Sequence, residues 1–171
     1  MVVGVRPRFT NAQIREIFTD RLKRIDIAII SRLQYIGEAF VKNARQKADF
    51  TDRTGNLRNS IGYVILKNGV QLYENFRRSA SVEVTVTAGQ NRGGKRRTKG
   101  STDGVQIGKD FAEETSKKFT NGYVLIVVAG MDYAAAVESK GYDVITASSI
   151  TAKRDLQNAI TALKQKITKM R

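Results

Sequence analysis

"IGYVILKNGVQLYE", residues 61–74, decides the fold class. It sets two apolar runs on either side of Asn68-Gly69. Both residues of that pair accept positive φ, which a two-residue hairpin turn requires, so the stretch predicts two antiparallel strands. Downstream, "SVEVTVTAG" alternates: Val82, Val84 and Val86 share one side, and Glu83, Thr85 and Thr87 the other. That is the pattern of a half-exposed strand. "GYVLIVVAG" is continuously apolar from Tyr123 to Ala129 and reads as a buried central strand between two glycines.

Helices flank these strands. Ile14, Phe18, Leu22, Ile25, Ile29, Leu33, Ile36, Phe40 and Ala44 follow at steps of three and four, so residues 10–48 read as one helix capped by Thr10 or Asn11. At 1.5 Å per residue it would be roughly 57 Å long, more than one small sheet can cover. Part of it is therefore expected to pack outside its own fold, or to bend near Ser31 or Gly37. "VQIGKDFAEETSKKF" reads as a short helix, and "MDYAAAVESKGY" as another started by Asp132. The last helix is expected to be capped by Ser148 or Ser149. Its apolar residues Leu156, Ile160, Leu163, Ile167 and Met170 lie four, three, four and three apart. The expectation is one α+β domain over residues 1–171: a long N-terminal helix, an antiparallel sheet of about four strands, and a C-terminal helix.

Composition narrows the function. The chain has 171 residues, 41 % of them apolar, enough for a core. It holds neither cysteine nor histidine. Disulfides, thiolate metal sites and Ser-His-Asp or Cys-His catalysis are thereby excluded. Its 16 acids show no metal-ligand spacing. The reading is a non-enzyme, with no catalytic residue, cofactor, metal or small-molecule substrate. No apolar run is long enough to span a membrane, and "MVVGVRPRF" does not read as a secretory signal.

"FTDRTGNLRNSI", residues 50–61, forms the corner between the long helix and the first strand. Thr54 is the candidate cap of a single helical turn, Gly55 permits the tight bend, and Leu57 and Ile61 share a face that anchors it. Arg58 and Asn59 are expected to point away. This corner resembles that of the tail-completion or minor tail proteins at the head–tail junction of tailed bacteriophages. They carry "TG-x-L-R-x-S-I" after a long first helix, then a strand-rich middle, a "Y-A-x-x-V-E" segment and a last helix. The matching residues are Thr54, Gly55, Leu57, Arg58, Ser60 and Ile61, then Tyr133, Ala134, Val137 and Glu138. The resemblance implies a non-enzymatic subunit of a homo-oligomeric ring (a hexamer is one such ring) in the virion neck. It would be made in the host cytoplasm and would touch other neck and tail proteins. Thr54, Gly55, Leu57, Arg58, Tyr133 and Glu138 become the candidate architectural or interface residues. An Arg58–Glu138 pair, within a subunit or across the ring, is the expected link between the two motifs.

The net charge is +14, which favours contact with a polyanion. Residues 89–104 are expected to form a mobile loop, within which "RGGKRRTK" holds Arg92, Lys95, Arg96, Arg97 and Lys99. These cations suit DNA phosphates, or an acidic neighbour, without sequence readout. No aromatic residue is interleaved for base stacking. The alternative function is thus a small basic nucleic-acid-binding protein.

Overall fold

Thr10 and Gln13 start the first helix reciprocally. The Thr10 amide donates to Gln13 Oε1 at 2.9 Å, and the Gln13 amide to Thr10 Oγ1 at 3.3 Å, a capping box. The helix, α1, runs Asn11–Gln46 without interruption. The computed structural model describes residues 10–50, 52, 54–78 and 103–169. They fall into two compact units, Met1–Arg32 and Leu33–Arg171. In the first, the apolar row of α1 is uncovered at Phe18 and Leu22, 61 % and 63 % exposed, and half-buried at Ile14, Ile25 and Ile29; Ile17 beside the row is exposed too. From Leu33 onward the same row is buried, through Ile36, Phe40, Val41 and Ala44.

The second unit is built on a hairpin. Strand β1 (Ile61–Lys67) turns through Asn68 and Gly69, at φ 51° and 79°, into β2 (Val70–Asn75). Lys67 faces Val70 and Leu66 faces Gln71, but Ile65 faces Tyr73, so Leu72 is the extra residue of a bulge. Strand β3 (Tyr123–Ala129) pairs antiparallel with β1 from Ile61↔Ala129 to Lys67↔Tyr123, giving the order β2-β1-β3. Among the described residues the sheet has three strands rather than four; the expected strand over 82–87 lies outside them. Among the described residues β1 is the central strand, buried from Ile61 to Leu66, while β3 pairs with β1 and is mostly half-buried. An apolar run states that both faces of a strand are apolar; it does not state how many neighbours the strand has.

Helix α2 (Asn56–Asn59) precedes β1, and α3 (Gly104–Ser116) follows the hairpin. On one face of β1, Val64 and Leu66 cluster with Phe76, Ala112, Ile126 and Val128. Gly104, Gly108 and Ala112 of α3, four apart, are all buried. A Cβ on Gly108 would stand 2.5 Å from Ser60 O. Glycine is what lets α3 approach the backbone of the corner. On the opposite face lies Tyr63, and a Cβ on Gly37 would reach within 2.7 Å of its ring. Gly37, one of the two expected bend points, is the seat of an aromatic side chain.

Three expected boundaries move, two of them for a capping reason. The loop expected over 89–104 ends earlier, because Asp103 caps α3 by accepting from the Val105 amide at 3.1 Å. Helix α4 (Ala134–Glu138) has Tyr133 at its cap position rather than Asp132. Helix α5 (Thr146–Lys169) begins ahead of Ser148 and Ser149, because carboxylates upstream take its free amides. The Asp143 carboxylate accepts from Ala147 at 3.0 Å. Ser148 is buried.

Candidate functional site

The corner is set by its backbone. Gly55 sits at φ 74° ahead of α2, a left-handed conformation that favours glycine. As a cap Thr54 offers a long contact, accepting from Asn56 N at 3.4 Å. The Asp52 carboxylate does the capping, accepting from the Arg58 amide at 2.8 Å. A charged acceptor at the first turn of a helix is favoured over a neutral hydroxyl. Leu57 and Ile61 are buried, as their spacing predicts.

Arg58 does not point away. Its Nη2 donates to Ala48 O at 3.4 Å, and its guanidinium lies over the Phe50 ring, 5.6 Å from the centroid. Both partners belong to the chain just past the end of α1, where a cation is favoured by the unpaired carbonyls. Arg58 therefore braces the corner from within.

Glu138 is engaged elsewhere. Its Oε1 accepts from the Ile145 amide at 2.9 Å, the Thr146 amide at 3.1 Å and the Thr146 hydroxyl at 2.9 Å. Burial alone would raise its pKa; these hydrogen bonds outweigh that and hold it below the ordinary carboxylate value. Among the described residues Arg58 and Glu138 form no ion pair with each other. The expected pair within one chain is replaced by two separate braces, one at the end of α1 and one at the start of α5.

The two motifs nevertheless meet. The Tyr133 side chain hydrogen-bonds with that of Thr54. Phe50, Asp52, Thr54 and Leu57 from the corner, and Tyr133, Val137, Lys140 and Tyr142 from the α4 region, line a cleft of about 510 Å³. Burial, then the Asp52 carboxylate, push the Tyr133 hydroxyl upward, against the opposing effect of Thr54. It is a neutral hydroxyl at physiological pH. A further tie joins the two sides, from the Asp143 amide to Asp49 Oδ1 at 3.0 Å.

Sequence reasoning missed Phe50, Asp52, Lys140 and Tyr142. Two of these are aromatic residues, Phe50 four before Thr54 and Tyr142 four after Glu138, and that proximity is the signal the sequence offers. It also missed Glu38, which accepts from Tyr63 Oη at 2.9 Å and from Asn75 Nδ2 at 2.8 Å. Arg45 lies beside this network, donating to Arg77 O at 2.6 Å and to Ile61 O at 2.7 Å. Burial lowers the Arg45 pKa, with Glu38 opposing. These bonds fasten α1 to β1 and β2. Arg92, Lys95, Arg96, Arg97 and Lys99 lie outside the described residues.

No family model matches the chain, and no curated protein or solved structure matches it either. Among the described residues no group of three acids could hold a metal ion, and no helix is long and apolar enough to cross a membrane. The cleft offers three aromatic side chains and one charge of each sign. Such a lining is suited to receiving a side chain or short segment.

Proposed function

We propose that the chain is a structural ring subunit of a tailed-phage neck, completing the tail and joining it to the head in the virion. One observation carries this reading: the apolar row of α1 continues N-terminally over Phe18 and Leu22, 61 % and 63 % exposed, with Ile17 beside them also exposed. Scattered apolar residues on a surface need no explanation, but a helical row of large ones marks an interaction face. A heterologous contact between that face and a different face of the next subunit closes into a ring when the rotation allows it. The convergence of the two phage-like segments on one cleft adds support, since each segment then has a reason to accompany the other. The charge of +14 suits a ring through which DNA passes.

The test is replacement of Phe18 and Leu22 by glutamate. The double variant should keep the circular dichroism of the parent and lose ring formation and tail joining. Loss of the fold itself would mean that the row is internal core, and the reading would fall. The rival reading, a small basic nucleic-acid-binding protein, is favoured by five cations within residues 92–99. It predicts tight, salt-sensitive DNA binding by a monomer, with no ring at any concentration.

A further inference from the structure

Helix α5 carries a second exposed seam, chemically different from that of α1. Of its 24 residues only Ser148 is buried. Leu156, Ile160, Leu163 and Ile167 recur at four, three and four residues, the a/d spacing of a helix that packs lengthwise against another helix. Leu156 and Leu163 are half-buried, while Ile160 and Ile167 are 46 % and 40 % exposed. In that register Lys164 and Lys166 occupy the e and g positions that border the seam. Lys153, Arg154 and Lys169 add to them, against the single acid Asp155.

The flanking charges choose the occupant. A second copy of α5, parallel or antiparallel, would set cation against cation along the seam, which is destabilising. The exposed part of α1 does not complement it, because its own register around Phe18, Leu22, Ile25 and Ile29 places Arg21 and Asp26 at the borders. A nucleic acid would use the lysines but would leave the isoleucines in water. We propose that the C-terminal half of α5 docks an amphipathic helix of a different protein, one with an apolar a/d seam bordered by glutamate or aspartate. This surface is distinct from the ring contact on α1 and stands whether or not the ring does.

The full-length chain can be titrated with three fluorescent probes. The first is a synthetic helix with leucine at a and d and glutamate at e and g; the second has lysine at e and g; the third is a mixed-sequence DNA duplex. The glutamate helix should bind and the lysine helix should not. Lys164→Glu with Lys166→Glu, both on the exposed surface, should shift the preference toward the lysine helix by roughly tenfold, since each border contact changes sign. Ile160→Ser with Ile167→Ser should abolish binding of the glutamate helix with helical content unchanged. Failure of the glutamate helix to bind, or equal binding of both helices, overturns the proposal. So does the DNA duplex as the only bound probe, with affinity surviving the serine substitutions; the surface would then be a polyanion site.

Discussion

Removing the Glu138 carboxylate should release the start of α5 while leaving the sheet in place. In Glu138→Ala, the Ile145 amide, the Thr146 amide and the Thr146 hydroxyl all lose their acceptor. Loss of a capping acceptor costs about 0.5–2 kcal/mol, and loss of a negative charge at a helix N-terminus about 0.3–1 kcal/mol more. Because Ser148 is the one buried residue of α5, little packing resists local opening, and the loss should appear there first. The reporter is the Ser149 amide, which donates to Ile145 O at 2.8 Å. Its hydrogen exchange should quicken roughly ten- to a hundredfold, at 1.4 kcal/mol per factor of ten. Amides of β1 should change little. Glu138→Gln keeps an acceptor and loses the charge, so it should fall between the parent and the alanine variant.

The pH dependence follows the same carboxylate. Its folded-state pKa is lowered, so its contribution is complete above the unfolded-state value of about 4.3 and is lost as pH falls through the lower folded-state value. The parent and Glu138→Gln should converge in that acid range and differ at neutral pH. If Ser149 exchanges at the parental rate in Glu138→Ala, Glu138 is not the brace of α5.

Leu57→Ala should destabilise by about 2–3 kcal/mol, the lower part of the range for buried leucine, because Leu57 lines an open cleft that water can fill. Ile65→Ala, in the centre of β1 with no exposure, should cost about 4–5 kcal/mol; urea midpoints in the reverse order would contradict the placement of the cleft. Gly108→Ala should lose about 1–3 kcal/mol by pushing α3 off the corner, since its new Cβ would start 2.5 Å from Ser60 O; a neutral or stabilising effect in thermal melts would show that the approach is not tight. A double-mutant cycle on Arg58→Ala and Glu138→Ala should be additive in stability within about 0.5 kcal/mol, because the two side chains share no partner. Coupling confined to tail joining would place the pair across a subunit boundary.

What was legible in the sequence was local. Asn68-Gly69 specified its turn through positive φ, and Thr10 and the three-and-four spacing specified α1. Leu57 and Ile61 anchored the corner as their shared face required. What was not legible depended on chain segments distant in sequence. Gly37 reads as a weak point in a helix until Tyr63 is placed against it. Arg58 and Glu138 read as a natural ion pair because opposite charges were the only link visible between the two motifs. Each instead serves orphan backbone groups at a helix end, a demand that becomes visible only once the ends of α1 and α5 are known. Thr54, Ser148 and Ser149 suit caps by residue type, but capping requires reach, and Asp52 has it at α2, Asp143 and Glu138 at α5. The central position of β1 was hidden for a similar reason: strand neighbours are settled by pairing, which composition does not encode.

The mass of the purified protein in solution, followed across concentration and paired with particle images, tests the central proposal most directly. The ring reading predicts a discrete closed oligomer, assembled alone or on phage tails, that is lost in the Phe18→Glu, Leu22→Glu variant while its monomer stays folded. A monomer at every concentration, with no ring on tails and with tight DNA binding that falls steeply with salt, would contradict it.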